Sequence, residues 1–432
     1  MKFSSDLCIQ GSAPHVDFRT AVLSGLAPDG GLYVPESLPT IVRAPGEWRP
    51  QSLIEAGVQL LAPFVTDKDT EELTGILRSA WDFPAPITIL EPGIHLLELF
   101  HGPTLAFKDF GARFLARYLE HPASPLTILV ATSGDTGGAV AAGFHGASGI
   151  TVYILYPAGR VSPIQEAQMA TLGGNIRAIE VAGSFDDCQR LVKAALGDRE
   201  LRATRTFTTA NSINIGRLLP QLAYHGWAAG QMDRPTLVIP SGNFGNLTAA
   251  LYARAMGVPI GRCVAALNTN DVIRRYLGTG TYRPEVSCPT ISSAMDVGNP
   301  SNLTRLLHLA GGSTQRLASL FEAHSVDDDD TQTEIRRAYE SAGQVIDPHT
   351  AVGVAVARRL LAAGAGPLVV AATAHPAKFT TVIESALGIP ASRWTIPSPV
   401  PPALAEAISR PKLSRKLPAD EAAFGQLLRT DP

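Results

Sequence analysis

The chain has 432 residues, 45% of them hydrophobic, which is enough to build two or three packed domains. Its formal net charge of −3, without a block of Lys or Arg, gives no reason to expect a nucleic-acid partner. The four cysteines form no C-x-x-C pair and are far apart, so we expect neither a disulfide framework nor a metal site: Cys8, Cys188, Cys263 and Cys288.

The first twenty residues, MKFSSDLCIQGSAPHVDFRT, lack the apolar central segment of a secretory signal. No uncharged apolar stretch reaches the length needed to span a bilayer. We therefore expect a cytoplasmic protein without a membrane partner.

Turn-forming residues dominate the first part of the chain, to about residue 95. The segment LAPDGGLYVPESLP (26–39) places Gly and Pro around one short strand, which predicts an N-terminal lobe. From residue 126 onward, short β-branched apolar runs alternate with helical patterns: LTILVA, TVYILYP, IRAIEVAG, TLVIPSG, CVAALNTN and PLVVAATA. This alternation is typical of an α/β protein built on parallel sheets. The acidic run at 327–330 predicts the start of a helix.

A single lysine, Lys108, follows an apolar stretch in LFHGPTLAFKDFGARFL (99–115). Asp109 could cap the amphipathic run that follows, which would place Lys108 at a loop-to-helix junction. An ordinary surface lysine that pairs with Asp109 is the alternative. The segment is not a nucleotide P-loop, because Phe107 replaces the required Gly and Asp109 the required Ser or Thr.

Two strand ends carry glycines and polar residues that could bind anions. SGNFGN (241–246) follows a strand and precedes a helix, so its backbone amides could form a cup for a phosphate, or simply a turn. ATSGDTGG (131–138) gathers hydroxyls and amides at another helix start, where they could bind a carboxylate or only cap the helix. The 241–246 spacing is not the dinucleotide fingerprint.

The chain resembles the threonine synthase family, pyridoxal-phosphate enzymes with the tryptophan synthase β-chain-like fold. Ten blocks match in the family's order between residues 29 and 379: DGGLYVPE, LFHGPTLAFKDFGARFL, ATSGDTGGAV, ILYPAGRVSPIQE, TLGGNI, ANSINIGRLLPQ, PSGNFGNLTAA, SAMDVGNPSN, PHTAVGVA and ATAHPAKF. The closing KLPADEAAFGQLL also resembles the family's tail.

The resemblance implies fold type II of pyridoxal-phosphate enzymes, with two open, mainly parallel twisted sheets flanked by helices. We expect an N-terminal lobe over residues 1–95. A smaller α/β domain over 96–215 would carry Lys108 and the loop of 131–138, which would bind the substrate carboxylate. A larger one over 216–432 would carry the loop of 241–246, which would bind the cofactor phosphate, and the C-terminal segment.

The resemblance also implies the cofactor contacts. Lys108 would form the internal aldimine with pyridoxal 5′-phosphate, a role that desolvation by apolar neighbours favours. Thr373 would hydrogen-bond the pyridine nitrogen, and Asp135 would lie beside the 3-hydroxyl. Phe107 and the backbone of the strand-end loop would contact the cofactor, the loop holding its phosphate: Gly242, Asn243, Phe244, Gly245 and Asn246.

The implied reaction is γ-elimination of phosphate from O-phospho-L-homoserine, followed by addition of water at the β-carbon to give L-threonine. Lys108 would act in turn as nucleophile, base and acid. The loop Ser133, Gly134 and Thr136 would take the α-carboxylate. Arg217 and Lys378 would bind the substrate phosphate, with Thr104, Arg160 and Asn214 in support. Arg217 could instead pair with a surface acid, and Arg160 could only stabilise its loop.

Two other functions stay open at this point. Many relatives carry a Ser-Thr-Arg triplet where this chain reads CIQGSAPHVDF (8–18), which leaves room for another γ-substituted substrate or for a lyase that releases 2-oxobutyrate. A non-catalytic homologue is the second alternative, which Lys108, Thr373 and the glycine loop disfavour. We expect a monomer or a homodimer.

Overall fold

The computed structural model describes residues 1–7, 15–44, 46–394 and 401–431. The segment predicted to depart from the family triplet, 8–18, lies mostly outside this part, since residues 8–14 are not described.

The described residues form thirteen strands, of which the longer central ones follow the apolar runs of the sequence. They are β1 (Phe3–Ser5), β2 (Tyr33–Pro35), β3 (Ile87–Glu91), β4 (Ile94–Glu98), β5 (Leu126–Ala131), β6 (Ile150–Pro157), β7 (Ile176–Ala182), β8 (Thr206–Thr209), β9 (Thr236–Pro240), β10 (Arg262–Leu267), β11 (Glu322–Ser325), β12 (Leu368–Ala372) and β13 (Arg415–Pro418). The six runs predicted as strands from residue 126 onward are confirmed as β5, β6, β7, β9, β10 and β12.

The helices occupy the segments between these strands. They are α1 (Phe18–Ser24), α2 (Leu53–Leu61), α3 (Thr70–Ala80), α4 (Lys108–Leu119), α5 (Asp135–Phe144), α6 (Pro163–Ala170), α7 (Phe185–Gly197), α8 (Arg199–Thr204), α9 (Ile215–Leu218), α10 (Leu222–Gln231), α11 (Gly245–Ala255), α12 (Val272–Thr279), α13 (Leu303–Leu309), α14 (Thr314–Leu320), α15 (Asp328–Ala342), α16 (Pro348–Ala362), α17 (Thr380–Leu387), α18 (Pro402–Ser409) and α19 (Glu421–Thr430). The acidic run at 327–330 begins α15, with the Asp327 side chain accepting a hydrogen bond from the Asp330 amide.

Two open sheets form the centre of the protein, as predicted. The larger has the strand order β11-β10-β9-β12-β4-β3 and is parallel except for the β3–β4 pair. The smaller has the order β13-β7-β6-β5-β8 and is parallel throughout. The short antiparallel pair β1–β2 lies in the N-terminal lobe.

The sheets cross the predicted domain bounds at two places. Strands β3 and β4 pair with each other, and β4 pairs with β12, so the larger sheet includes residues on both sides of position 95. Strand β13 pairs with β7 in register Arg415–Ile179, which brings the C-terminal segment to the smaller sheet. These pairings join residues far apart in sequence, where strand patterns carry no information about partners.

Helices cover both faces of the larger sheet and enclose apolar strands. Helix α16 carries an almost fully buried face that packs against β9 and β12, and the strand residues Val238 and Val370 have no exposed surface. Strands buried on both faces are expected in parallel sheets of this kind. No helix in the described ranges is both long enough and apolar enough to cross a bilayer.

Candidate active site

A cavity of about 1310 Å³ opens where β5, β9 and β12 end. The residues that follow these strands, Ser133, the 241–246 loop and Thr373, all line it. Ligand sites of open α/β sheets form at the carboxyl ends of strands, because the connecting loops and helix N-termini meet there. The cavity therefore brings together the two strand ends that their glycines marked in the sequence and the third, at Thr373, that the family resemblance indicated.

Lys108 is the first residue of α4, so the predicted loop-to-helix junction is confirmed. The loop before it is held to the strand end at 373, because the Phe107 amide donates a 2.9 Å hydrogen bond to the Thr373 carbonyl. Asp109 does not cap the helix as expected. Its carboxylate instead accepts hydrogen bonds from the amide and hydroxyl of Thr104, at 2.9 and 2.6 Å. Lys108 is therefore not paired with the adjacent Asp109, and it lines the cavity.

The ammonium of Lys108 faces Asp135, with Nζ 3.7 Å from Oδ2. Burial lowers the pKa of Lys108, and Asp135 opposes that shift only in part. Burial also disfavours a charged Asp135, but the ammonium groups of Lys378 and Lys108 hold the pKa of that carboxyl below its usual range. A lysine with a lowered pKa beside an ionised carboxylate can act as a nucleophile and transfer protons.

The 241–246 loop ends β9 and begins α11. Phe244 adopts a left-handed backbone (φ 59°), which turns the loop into the helix. Within the described residues, the amides of the loop from Gly242 to Asn246 donate no hydrogen bond, so they remain available to an anion at the positive end of α11. A Cβ at Gly242 would lie 2.8 Å from the Met295 Cα, so only glycine lets the loop pack there.

These features fit pyridoxal phosphate. The free amides of the 241–246 loop can hold a phosphate, and Lys108 offers an amine in the same cavity. The hydroxyl of Thr373 is nearly buried and has no hydrogen-bond partner among the described residues, so it can bind a ring nitrogen. Phe107, Asp135 and the loop residues all line the cavity.

The 132–136 loop offers a second set of free donors. Thr132 Oγ1 accepts hydrogen bonds from the amides of Gly134 and Gly137, both at 2.9 Å, and so shapes the start of α5. Ser133 is exposed and, like Thr136, lines the cavity, and in the described part of the chain the amides of Ser133 and Thr136 donate no hydrogen bond. This arrangement can bind a carboxylate.

Arg217 is a buried cation of the cavity wall without an acidic partner at ion-pair distance in the described residues. One guanidinium nitrogen donates to the Ala210 carbonyl, and Nε has no partner. Burial lowers the pKa of Arg217 to about 10, opposed by Asp109, so the side chain stays charged at neutral pH. It is not paired with a surface acid and can receive an anion from the cavity.

The other predicted substrate residues occupy different places. Lys378 lines the cavity but already pairs with Asp135, Nζ lying 2.7 Å from Oδ1. Arg160 lies at the rim and is exposed. Thr104 and Gly134 are buried and do not line the cavity. Asn214 caps α9, accepting from the Gly216 amide at 2.9 Å and donating to the Val22 and Thr209 carbonyls.

Several residues that support the site were not singled out from the sequence, although they lie in matched blocks. Gln165 donates a 2.9 Å hydrogen bond to Asp135 Oδ1. Asn302 donates a 3.0 Å hydrogen bond to the Asn243 carbonyl. His349, on the cavity wall, accepts a 3.1 Å hydrogen bond from the Ala294 amide. What could have identified them from the sequence is their position within three of the blocks that match the family, ILYPAGRVSPIQE, SAMDVGNPSN and PHTAVGVA.

Comparison with known proteins gives one consistent answer. A family model described as pyridoxal-phosphate dependent enzyme matches residues 88–373, and models of the threonine synthase N terminus and C-terminal region match 8–81 and 350–427. Threonine synthase of Escherichia coli K12 is 42% identical over 422 residues, covering 96% of each chain.

Solved structures agree with the sequence match. A crystal structure of threonine synthase from Escherichia coli superposes with a TM-score of 0.91 at 40% identity, with all of both chains covered. A threonine synthase from Brucella melitensis with bound pyridoxal phosphate gives 0.89 at 35% identity over 99% of each chain. The chain belongs to the threonine synthase family of pyridoxal-phosphate-dependent enzymes.

Proposed function

We propose that the protein converts O-phospho-L-homoserine and water to L-threonine and phosphate, with pyridoxal 5′-phosphate attached to Lys108. The observation that carries this assignment is one cavity lined by a lysine with a lowered pKa, a loop of free amides and a buried unpaired arginine. Two separate anion sites besides the lysine are what a phosphorylated cofactor and a phosphorylated substrate require.

When bound, pyridoxal phosphate supplies an electron sink for negative charge at the carbon atoms of the substrate. The chain supplies the proton transfers. Nζ of Lys108 takes the proton from the α-carbon and then helps to transfer the proton of the β-carbon. Both steps require an amine that is partly neutral at the working pH. Burial favours that neutral form.

The remaining residues bind and orient. The backbone of the 241–246 loop holds the cofactor phosphate, and the Thr373 hydroxyl holds the ring nitrogen. Ser133 and Thr136 with their amides hold the substrate α-carboxylate. Arg217 binds the γ-phosphate, with Arg160 at the rim in reach of the cavity opening. Thr104 and Asn214 support the cavity wall without touching the substrate. The Thr104 side chain is hydrogen-bonded to Asp109, and that of Asn214 to main-chain groups.

The assignment is tested with purified protein and O-phospho-L-homoserine, following phosphate, threonine and 2-oxobutyrate together. We expect phosphate and threonine in equal amounts. Phosphate with 2-oxobutyrate would identify the lyase alternative, and no turnover would reject the proposal.

Attachment of the cofactor is tested separately by borohydride reduction and peptide mapping. The pyridoxyl group is expected on Lys108, and Lys108→Ala should lose the visible absorbance of the bound cofactor. Lys68→Ala, which changes a lysine that pairs with Glu72 on the surface, is the control. A label on another lysine would contradict the assignment.

We further infer that the enzyme acts in the cytoplasm as a monomer or homodimer, without a nucleic-acid or membrane partner. The free thiols of Cys188, Cys263 and Cys288 suit a reducing compartment. The near-neutral charge balance gives no basis for nucleic-acid binding. Light scattering after size-exclusion chromatography gives the oligomeric state, and cell fractionation gives the location.

A further inference from the structure

One carboxylate in the cavity wall is shared by two ammonium groups. Lys378 Nζ lies 2.7 Å from Oδ1 of Asp135, whereas Lys108 Nζ lies 3.7 Å from Oδ2. Gln165 donates a second short hydrogen bond to Oδ1, at 2.9 Å. The carboxylate is therefore engaged mainly by Lys378 and Gln165, and Lys108 is the more distant partner.

Lys378 is held firmly in this position. Its side chain has no exposed surface, and Nζ also donates a 2.9 Å hydrogen bond to the Thr104 carbonyl. That carbonyl lies in the loop that leads into α4 and Lys108. Lys378 thus links Asp135 on α5 to the segment that carries Lys108, with its hydrogen bonds already directed at protein atoms.

Few other charged or titratable groups lie near Lys108 and Lys378. Arg217 also faces Lys108 and, like Lys378, disfavours its protonation, which lowers the pKa of Lys108 further. Asp109 also lies near Lys378. Burial raises the pKa of that carboxyl to about 6 in spite of the Thr104 hydrogen bonds, so it is still mostly ionised at pH 7, but within the described residues it forms no ion pair with Lys108 or Lys378. His375 is near Lys378 as well, and burial lowers the pKa of its ring to about 4, so it is neutral at pH 7. Among the described residues, Asp135 is therefore the carboxylate that lies at ion-pair distance from both Lys108 and Lys378.

We propose that Lys378 is a positioning residue that occupies Asp135, so that this carboxylate does not act as a full counter-ion of Lys108 and the Lys108 amine remains available as a nucleophile. This rests on the proposed function only in that Lys108 carries the cofactor. A carboxylate within about 4–6 Å of a lysine and without another partner favours the ammonium form, which cannot attack a carbonyl. Lys378 removes that effect without leaving Asp135 as an unpaired buried charge.

The role differs from the phosphate contact predicted for Lys378 from the sequence. A phosphate ligand needs a cation that turns its donors into the cavity, whereas Lys378 directs two of them to Asp135 and the Thr104 carbonyl. Arg217, without an acidic partner in the described residues, is the better placed cation for the phosphate.

The test compares the full-length, cofactor-free protein with Lys378→Met, Asp135→Asn and the double variant. The readout is the rate at which trace acetic anhydride labels Lys108 between about pH 6 and 11, a range that spans a lysine pKa lowered by burial, followed by peptide mass spectrometry. Only the neutral amine reacts, so the pH midpoint reports the protonation of Lys108 itself. The measurement involves neither cofactor nor substrate, so its outcome is independent of whether O-phosphohomoserine is the substrate.

Lys378→Met should raise the labelling midpoint of Lys108 and lower its labelling at pH 7 about tenfold, equivalent to one pKa unit. Lys378→Arg, which keeps the charge, should restore most of the wild-type rate. In the Asp135→Asn background, Lys378→Met should change the rate much less, since no carboxylate remains to be released.

Two results would overturn the proposal. One is an unchanged Lys108 midpoint in Lys378→Met; if the KM for O-phospho-L-homoserine is then raised, Lys378 is a phosphate contact instead. The other is an equal effect of Lys378→Met in the wild-type and Asp135→Asn backgrounds, which would mean that Lys378 acts without the carboxylate. If Lys378→Met does not fold, Lys378→Gln, which can still donate to the Thr104 carbonyl, carries the same comparison.

Discussion

The side chain of Asn302 donates a 3.0 Å hydrogen bond to the main-chain carbonyl of Asn243, in the middle of the 241–246 loop. Its Oδ1 accepts a 2.8 Å hydrogen bond from Arg305, which is fully buried. The same guanidinium donates to the carbonyls of Tyr33, at 3.0 Å, and Ile213, at 2.6 Å. Asn302 therefore connects the proposed cofactor-phosphate loop to an arginine that binds main-chain carbonyls of the N-terminal lobe, at Tyr33, and of the segment before α9, at Ile213.

Replacing Asn302 should weaken cofactor binding. Asn302→Ala removes the hydrogen bond that fixes the Asn243 carbonyl of the loop, and loss of one such bond costs about 0.5–1.5 kcal/mol, or up to roughly tenfold in Kd. Titration of cofactor-free protein with pyridoxal phosphate measures the change. Asn299→Ala is the matched control, since Asn299 lies three residues before Asn302 and accepts a hydrogen bond from Tyr282, but among the described residues has none with the loop. Equal affinities for the two variants would contradict the prediction.

A methyl group at position 242 should disturb the same loop. In Gly242→Ala the Cβ would lie 2.8 Å from the Met295 Cα and 3.0 Å from the Ala294 carbonyl oxygen, so the backbone has to shift. Overpacking of this kind costs about 1–3 kcal/mol, and we expect cofactor affinity to fall about tenfold or more. Retention of the cofactor during dialysis is the measurement. Gly278→Ala, where nothing lies within 4 Å, should retain it like the wild type.

Thr373→Val should separate cofactor binding from catalysis. The variant keeps the volume of the side chain and leaves the 241–246 loop intact, so the protein should still bind pyridoxal phosphate. Loss of the hydroxyl should slow removal of the α-proton by roughly ten- to a hundredfold, the equivalent of about 1.5–3 kcal/mol. Exchange of the α-hydrogen with deuterated solvent measures this step. Thr373→Ser should exchange close to the wild-type rate; a fast Thr373→Val variant would show that another group binds the ring nitrogen.

Arg217→Ala should impair recognition of the substrate phosphate. Loss of a charge-assisted hydrogen bond is worth about 1.5–3 kcal/mol, so KM for O-phospho-L-homoserine should rise roughly ten- to a hundredfold, and inhibition by free phosphate should weaken. The cofactor spectrum should not change. Arg262→Ala, which breaks an exposed pair with Glu322, serves as the control. Wild-type KM in Arg217→Ala would place the phosphate site elsewhere.

Local patterns in the sequence determined much of the architecture and part of the site. The β-branched runs predicted six of the nine strands that the described residues form from residue 126 onward, and the apolar stretch before Lys108 predicted its junction with α4. The short strands β8, β11 and β13 were not predicted. The glycines of 241–246 indicated a loop of free amides before α11. Each of these features depends on neighbouring residues alone, since side-chain alternation and backbone freedom are properties of a few consecutive positions.

Only the tertiary structure decided which of the candidate cations can bind a ligand and which are already engaged by other protein groups. Lys378 and Thr104 are 274 positions apart in sequence, yet they are joined by a hydrogen bond, and Asp135 from a third segment completes the group. Arg217 and Asn214 lie within one turn of each other, but one faces the cavity and the other caps a helix. Such outcomes depend on which strands pair and which loops meet at their ends. They are set by packing between distant segments, for which the sequence pattern of one segment carries no signal.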